Sequence, residues 1–106
     1  VEELVDGLPF AFGPAAFRQP NLDMFERIVQ DLKAALRAHL ATLGPSASGE
    51  APQVRILELC GGVGVLGLSL AAVAGERGML LSTDISSHCQ QAFAINAAAV
   101  LGAQSR

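Results

Sequence analysis

The sequence has neither tryptophan nor tyrosine, and five phenylalanines supply its whole aromatic content, 5% of 106 residues. With 51% hydrophobic residues it still has enough apolar material for a globular core, which must be built mainly from Ala, Leu and Val. A domain of this size buries a smaller fraction of its surface than a larger one does. We therefore expect an Ala-rich globular chain that depends on neighbouring structure to cover part of its apolar surface.

Charged residues are also few, and the basic ones are in the minority. The chain has 7 Lys and Arg against 10 Asp and Glu, which gives a formal net charge of -3. Nucleic-acid-binding surfaces are usually basic. The acidic balance therefore argues against this chain by itself forming a nucleic-acid-binding surface.

Cysteines, metal-ligand spacings and long apolar runs are equally sparse. Cys60 and Cys89 are the only two cysteines and form no CxxC or Cys/His pattern, so the sequence predicts no metal site and two free thiols in an intracellular reducing compartment. No apolar run is long enough for a membrane span, and the acidic start Glu2-Glu3 does not resemble a signal peptide. The chain begins with Val1 instead of Met, so we expect a piece of a longer protein.

Hydrophobic periodicity divides the chain into three regions. Residues 1–44 predict a short extended segment within residues 8–17 and then an amphipathic helix, capped by Asn21 and ended at Gly44. Residues 45–53 have the composition of a flexible loop. Residues 54–106 predict buried strands at 54–59 and 79–83 and helices at 65–74 and 86–101, the βαβα unit of a doubly wound α/β sheet.

Several side chains receive a structural interpretation. The inward face of the last helix is predicted to carry Cys89 and Asn96, and a buried Asn96 would need hydrogen-bond partners. Cys60 is also predicted to be a packing residue, and Phe10, Phe12 and Phe17 to pack in the core. The solvated face of the first helix is predicted to hold charged residues, namely Glu26, Arg27, Asp31, Lys33 and Arg37; His39 and His88 are predicted at the surface.

The chemistry is concentrated in a glycine-rich turn directly after the first buried strand. Gly61, Gly62 and Gly64 would let the backbone approach a ligand closely. Asp84 follows Gly64 by 20 residues at the end of the second strand, where an acidic side chain can accept hydrogen bonds from ribose hydroxyls. A turn that binds no ligand remains the alternative.

The acidic residue Glu58 bears on which nucleotide-like ligand would bind. A dinucleotide turn would read GxGxxG and would hold a pyrophosphate at the helix N-terminus, which Glu58 would repel. The same acid suits a cationic ligand that carries an amino acid, either by direct contact or by fixing the loop through backbone amides. The turn therefore favours S-adenosyl-L-methionine over NAD.

Three separated matches resemble the RNA uracil-5-methyltransferases, a family acting on transfer and ribosomal RNA. Residues 56–64 follow the family's strand, acid and Cys-Gly-rich run, with Cys60 and Gly61 in the places of Tyr and Cys. Residues 17–21 resemble its Phe-Phe-Gln-x-Asn segment, and Asp84-Ile85 followed by Asn96-Ala97 resembles its second strand end and helix. Of these, the Gln-x-Asn element is the most specific.

The resemblance implies part of a class I methyltransferase with a Rossmann-like fold and S-adenosyl-L-methionine as its cofactor. It implies that Gln19 contacts the methionine moiety, that Cys60 and Gly62 form the turn beneath it, that Val65 is the next contact and that Asp84 binds the ribose. The complete set of expected cofactor residues is Gln19, Glu58, Cys60, Gly61, Gly62, Gly64, Val65 and Asp84.

The family's reaction also needs a Cys nucleophile and a carboxylate base, which the resemblance implies lie beyond residue 106. We therefore expect the full-length protein to be an enzyme and this chain alone to be inactive. Two other interpretations remain open: a methyltransferase-derived structural subunit of an assembly such as a ribonucleoprotein, and a methyltransferase acting on small molecules or protein.

Overall fold

The computed structural model describes residues 2–13, 16–44 and 52–102. These residues form a small α/β structure with two separate two-stranded sheets. The elements in chain order are β1 (Glu2–Val5), β2 (Leu8–Ala11), α1 (Leu22–Thr42), β3 (Val54–Glu58), α2 (Val65–Ala74), a 3-10 turn (Gly75–Arg77), β4 (Gly78–Ser82) and α3 (His88–Gly102). The predicted α/β class is confirmed.

The N-terminal region differs from the single extended segment predicted within residues 8–17. β1 and β2 form an antiparallel hairpin with Val5 opposite Leu8. Asp6 and Gly7 make the turn, and both have positive φ angles, as two-residue hairpin turns require. The sequence prediction was wrong here because it overlooked this Asp-Gly signal, missed β1 and extended β2 beyond Ala11.

The hairpin turn changes the environment of α1. Lys33 is buried, and its Nζ donates to the Asp6 carboxylate across 2.6 Å. Glu26 is half-buried and accepts a 2.8 Å hydrogen bond from the Asp6 backbone N–H. The prediction that Lys33 and Glu26 belong to a solvated face was therefore wrong, since tertiary contact with the hairpin covers them.

Acid should weaken this contact. The hydrogen bond from Lys33, followed by one from Gln30, holds the pKa of Asp6 below its usual 3.8. A carboxyl group whose pKa is lower in the folded state stabilises the fold above its unfolded pKa and loses that contribution as pH falls through its folded pKa. We expect the urea midpoint of the wild type to fall more steeply than that of Asp6→Asn below about pH 4.

Parallel urea titrations at several pH values measure this difference, and Asp23→Asn, in the exposed first turn of α1, is the control. Identical pH slopes for wild type and Asp6→Asn would contradict the assignment.

Helix α1 begins as predicted. The Asn21 side chain accepts a 3.1 Å hydrogen bond from the backbone N–H of Met24, which satisfies one of the free amides of the first turn. Its apolar stripe packs inward at Val29, which is 1% exposed and belongs to the same core as Val5 and Leu68. The helix ends at Thr42, and most of the predicted loop lies outside the described residues.

The second sheet has the predicted parallel topology. β3 and β4 pair from Val54 opposite Gly78 to Glu58 opposite Ser82, and α2 connects them over the predicted range 65–74. Among the described elements, α2 covers one face of this sheet. On the other face Leu57, Met79 and Leu81 are each more than half exposed, so the expectation of fully buried strands was wrong for that face.

Helix α3 packs as predicted, with Cys89, Asn96 and Val100 buried on its inward face. Phe10 and Phe12 are buried, whereas Phe17 is 75% exposed, which corrects its expected place in the core. Among the helices that the structure describes, none is both long enough and apolar enough to cross a membrane.

Candidate functional site

A cleft of about 530 Å³ opens beside the carboxyl end of the parallel sheet. One wall comes from the turn after β3 and the start of α2. The other comes from the hairpin, the segment after it and α1. Seven of the eight residues expected from the sequence line it: Gln19, Glu58, Cys60, Gly61, Gly62, Val65 and Asp84. The tertiary structure thus brings together side chains as far apart in sequence as Gln19 and Asp84.

The glycine turn is tied to the end of β4 by backbone hydrogen bonds. Gly61 donates to the carbonyl of Thr83 over 2.8 Å, and Thr83 donates to the carbonyl of Glu58 over 2.9 Å. Gly64 N–H then closes the turn on the Gly61 carbonyl at 3.0 Å. The floor of the cleft is therefore a backbone surface whose position is set by the sheet.

The three glycines are required for different reasons. Gly62 has φ +60° and nothing within 4 Å of a Cβ position, so its missing side chain leaves open space. Gly64 has φ +99°, and a Cβ there would lie 2.7 Å from the Phe93 ring. At Gly61 a Cβ would lie 2.2 Å from the Ser82 hydroxyl. Gly64 does not line the cleft; it allows α2 and α3 to pack closely beneath the turn.

Glu58 fixes the turn from below. Its Oε2 accepts a 2.8 Å hydrogen bond from the backbone N–H of Gly67 in the first turn of α2, and its Oε1 accepts one of 2.7 Å from the Ser82 hydroxyl. A carboxylate at this end of a helix also interacts favourably with the helix dipole. Glu58 is thus anchored to the backbone amide of Gly67 and to the Ser82 hydroxyl, and its direct contact with a ligand stays a prediction.

Asp84 lies at the open edge of the cleft. Its Oδ2 accepts from the Gly62 N–H and its Oδ1 from the Ser86 N–H, both at 2.8 Å. The bond from Ser86, followed by that from Gly62, lowers the pKa of this exposed carboxyl below its usual value. Each oxygen keeps further acceptor capacity, so the ionised carboxylate can accept hydrogen bonds from a ligand without releasing the turn.

Cys60 and Gln19 are both exposed. Cys60 has φ +56°, a left-handed conformation uncommon for a residue with a side chain, and its thiol is free. The interpretation of Cys60 as a packing residue was wrong, because the turn directs it away from the core. Gln19 lies on the opposite wall, in the stretch before α1, while Val65 is buried at the base of the cleft.

Sequence reasoning missed the supporting residue Ser82. Its position could have been found from the parallel register, which pairs it with Glu58 on the face toward α2. Within the described ranges, no cluster of three His, Cys, Asp or Glu side chains could hold a metal ion.

Comparison with known proteins gives one similarity of note. The chain is 29% identical over 91 residues to an uncharacterized RNA methyltransferase of Protochlamydia amoebophila (strain UWE25). The match covers 86% of this chain but only 19% of that protein, so the chain spans about one fifth of the length of the curated relative. No family model matches the chain.

Proposed function

We propose that this chain forms the S-adenosyl-L-methionine-binding part of an RNA uracil-5-methyltransferase with a Rossmann-like fold. The observation that carries the proposal is the meeting of an exposed Asp84 carboxylate with the open backbone of Gly62 at one edge of the cleft. Parallel α/β sheets bind their ligands in this place, beyond the carboxyl ends of the strands.

The charges around the cleft favour a cationic ligand over a pyrophosphate. Its lining includes the carboxylates of Glu58 and Asp84, and no Lys or Arg among the described residues lines it. The third lining carboxylate, that of Glu3, is paired with Arg18. The Gly67 amide, which would be available to a phosphate at the start of α2, is already bonded to Glu58. A sulfonium ligand avoids the repulsion that a dinucleotide would meet here.

Each lining residue is assigned to one part of S-adenosyl-L-methionine. Asp84 accepts from the ribose hydroxyls, Gly61 and Gly62 lie beneath the ligand, and Gln19 contacts the methionine moiety from the opposite wall. Cys60 and Val65 complete the contact surface, while Glu58 and Gly64 hold the turn in shape. When bound, S-adenosyl-L-methionine supplies an electrophilic methyl group.

Assignment to RNA draws support from the similar protein named an RNA methyltransferase, and assignment to uracil C5 from the Gln19-x-Asn21 resemblance. We further propose that RNA is held by regions outside this chain, given its net charge of -3.

Titration calorimetry with S-adenosylhomocysteine tests the proposal, with NAD as the competing ligand. We expect saturable binding of S-adenosylhomocysteine and none of NAD at the same concentrations. Preference for NAD would overturn the cofactor assignment.

The chain by itself is expected to transfer no methyl group to RNA. Carbon 5 of uracil becomes nucleophilic only after a thiolate adds to carbon 6. Cys89 is buried on α3, and Cys60 lies in the turn beneath the proposed cofactor site. The test is to incubate the chain with radiolabelled S-adenosyl-L-methionine and unmodified transfer RNA and to measure the label in the RNA. The full-length protein serves as comparison.

A Cys60→Ala, Cys89→Ala double variant is the control for that assay. Label at uracil C5 that depends on either cysteine would show that the chain carries its own nucleophile.

A structural subunit remains the second candidate because the sheet face at Leu57, Met79 and Leu81 is exposed. A folded protein that binds neither S-adenosylhomocysteine nor S-adenosyl-L-methionine would favour it.

A further inference from the structure

Asn96 joins three parts of the chain through one buried side chain. Its Oδ1 accepts from the Ala11 N–H at 2.7 Å, and its Nδ2 donates to the Ala11 carbonyl and to the Val63 carbonyl, each at 3.0 Å. The residue is 1% exposed; its bond to Val63 is buried and its two bonds to Ala11 are partly buried. α3 is thereby connected both to β2 and to the glycine turn.

The two partners of Asn96 belong to chain segments that line different parts of the cleft. Ala11 ends β2, immediately before Phe12 and the stretch that carries Gln19. Val63 lies between Gly62 and Gly64, and both glycines adopt left-handed conformations. Glycine has wide conformational freedom, so the turn could take up several backbone conformations. The hydrogen bond from the Asn96 side chain to the Val63 carbonyl restricts it.

We propose that Asn96 is a positioning residue that sets the separation and orientation of the two cleft walls, and through them the affinity for S-adenosyl-L-methionine. The proposal rests on the proposed function for its ligand. Its physical basis is that Asn96 supplies one acceptor and two donors in a fixed planar arrangement, which matches the N–H and carbonyl of Ala11 together with the carbonyl of Val63. A side chain without this combination cannot hold both walls.

Asn96→Asp is the most informative variant because it keeps the size and the acceptor for Ala11 N–H but removes both donated bonds. The matched control is Val100→Ala, a core change one turn further along α3 that touches neither the turn nor Ala11 in hydrogen bonding. Binding of S-adenosylhomocysteine is measured with both variants in trimethylamine N-oxide, which strengthens the folded state, so that only folded protein is compared.

We expect Asn96→Asp to bind at least about tenfold more weakly than the wild type, and Val100→Ala to bind like the wild type. Equal affinities for Asn96→Asp and Val100→Ala would overturn the proposal, since Asn96 would then contribute only stability. The backbone amide resonances of Gly62 and Gly64 provide a second measurement that needs no ligand. They should shift in Asn96→Asp and stay in place in Val100→Ala.

The wild type supplies a third measurement if Asn96→Asp does not fold. Adding S-adenosylhomocysteine should shift the Asn96 side-chain amide signals, while those of exposed Gln91 on the same helix stay in place. Unchanged Asn96 signals in a protein that binds the ligand would contradict the coupling. If the wild type binds no ligand, the proposed function fails, and the Gly62 and Gly64 resonances still decide whether Asn96 positions the turn.

Discussion

Replacing Asp84 with alanine should weaken the binding of S-adenosylhomocysteine by roughly one hundredfold. The carboxylate accepts hydrogen bonds from Gly62 and Ser86 and is exposed at the edge of the cleft. Hydrogen bonds to an ionised carboxylate are stronger than those between neutral groups, so the loss of both ribose contacts should be large. Because the side chain is exposed, the free energy of unfolding should change much less than the binding affinity.

Asp84→Asn separates the contribution of the negative charge from that of the hydrogen-bond acceptors. The amide keeps one oxygen acceptor but has lost the charge, so we expect affinity between those of the wild type and the alanine variant. Calorimetric titration gives the affinities, and urea denaturation gives the stability of the same samples. An alanine variant that binds as tightly as the wild type would remove Asp84 from the ribose site.

Gly62→Val should impair ligand binding, whereas Gly64→Val should impair folding. Both residues have positive φ angles, so each substitution carries left-handed strain of about 1–2 kcal/mol, and more for a branched side chain. At Gly64 the new side chain also meets the Phe93 ring and Leu68 at less than 3 Å, and overpacking adds roughly 1–3 kcal/mol. At Gly62 nothing lies within 4 Å, so the side chain enters the proposed ligand space.

We therefore expect Gly64→Val to be strongly destabilised or unfolded and Gly62→Val to stay folded but lose S-adenosylhomocysteine binding. Urea denaturation followed by circular dichroism, and ligand titration of whatever remains folded, distinguish these outcomes. The φ of +99° at Gly64 lies farther from the left-handed well than the +60° at Gly62, so greater backbone strain and tighter packing both make Gly64→Val the less stable variant. Normal binding by a folded Gly62→Val protein would show that the turn does not contact the cofactor.

Placing Gln19, Glu58 and Asp84 in one site required knowing how distant segments of the chain pack together. The sequence reveals this packing only in part. Glu58, which ends β3, and Asp84, which follows the end of β4 by two residues, could be placed together because neighbouring parallel strands have the same direction. The position of Gln19 opposite them could not be derived from spacing, and it came from the family resemblance. Its role as a ligand contact stays a prediction.

Local patterns by themselves determined the elements whose signals are local. The 65–74 helix and the Asn21 cap follow from periodicity and capping chemistry within a few residues, and the parallel β3 and β4 follow from apolar strands separated by a helix. The spacing of Asp84 from the turn also needed no tertiary knowledge.

Environments that depend on distant partners became visible only in the three-dimensional structure. Lys33 is buried because a hairpin turn 27 residues earlier supplies a carboxylate, and Asn96 has its partners because β2, 85 residues away, packs against α3. Which face of the parallel sheet is covered was likewise set by where α2 packs. The physical reason is the same in each case: burial and hydrogen bonding depend on neighbours in space, whereas periodicity records only neighbours along the chain.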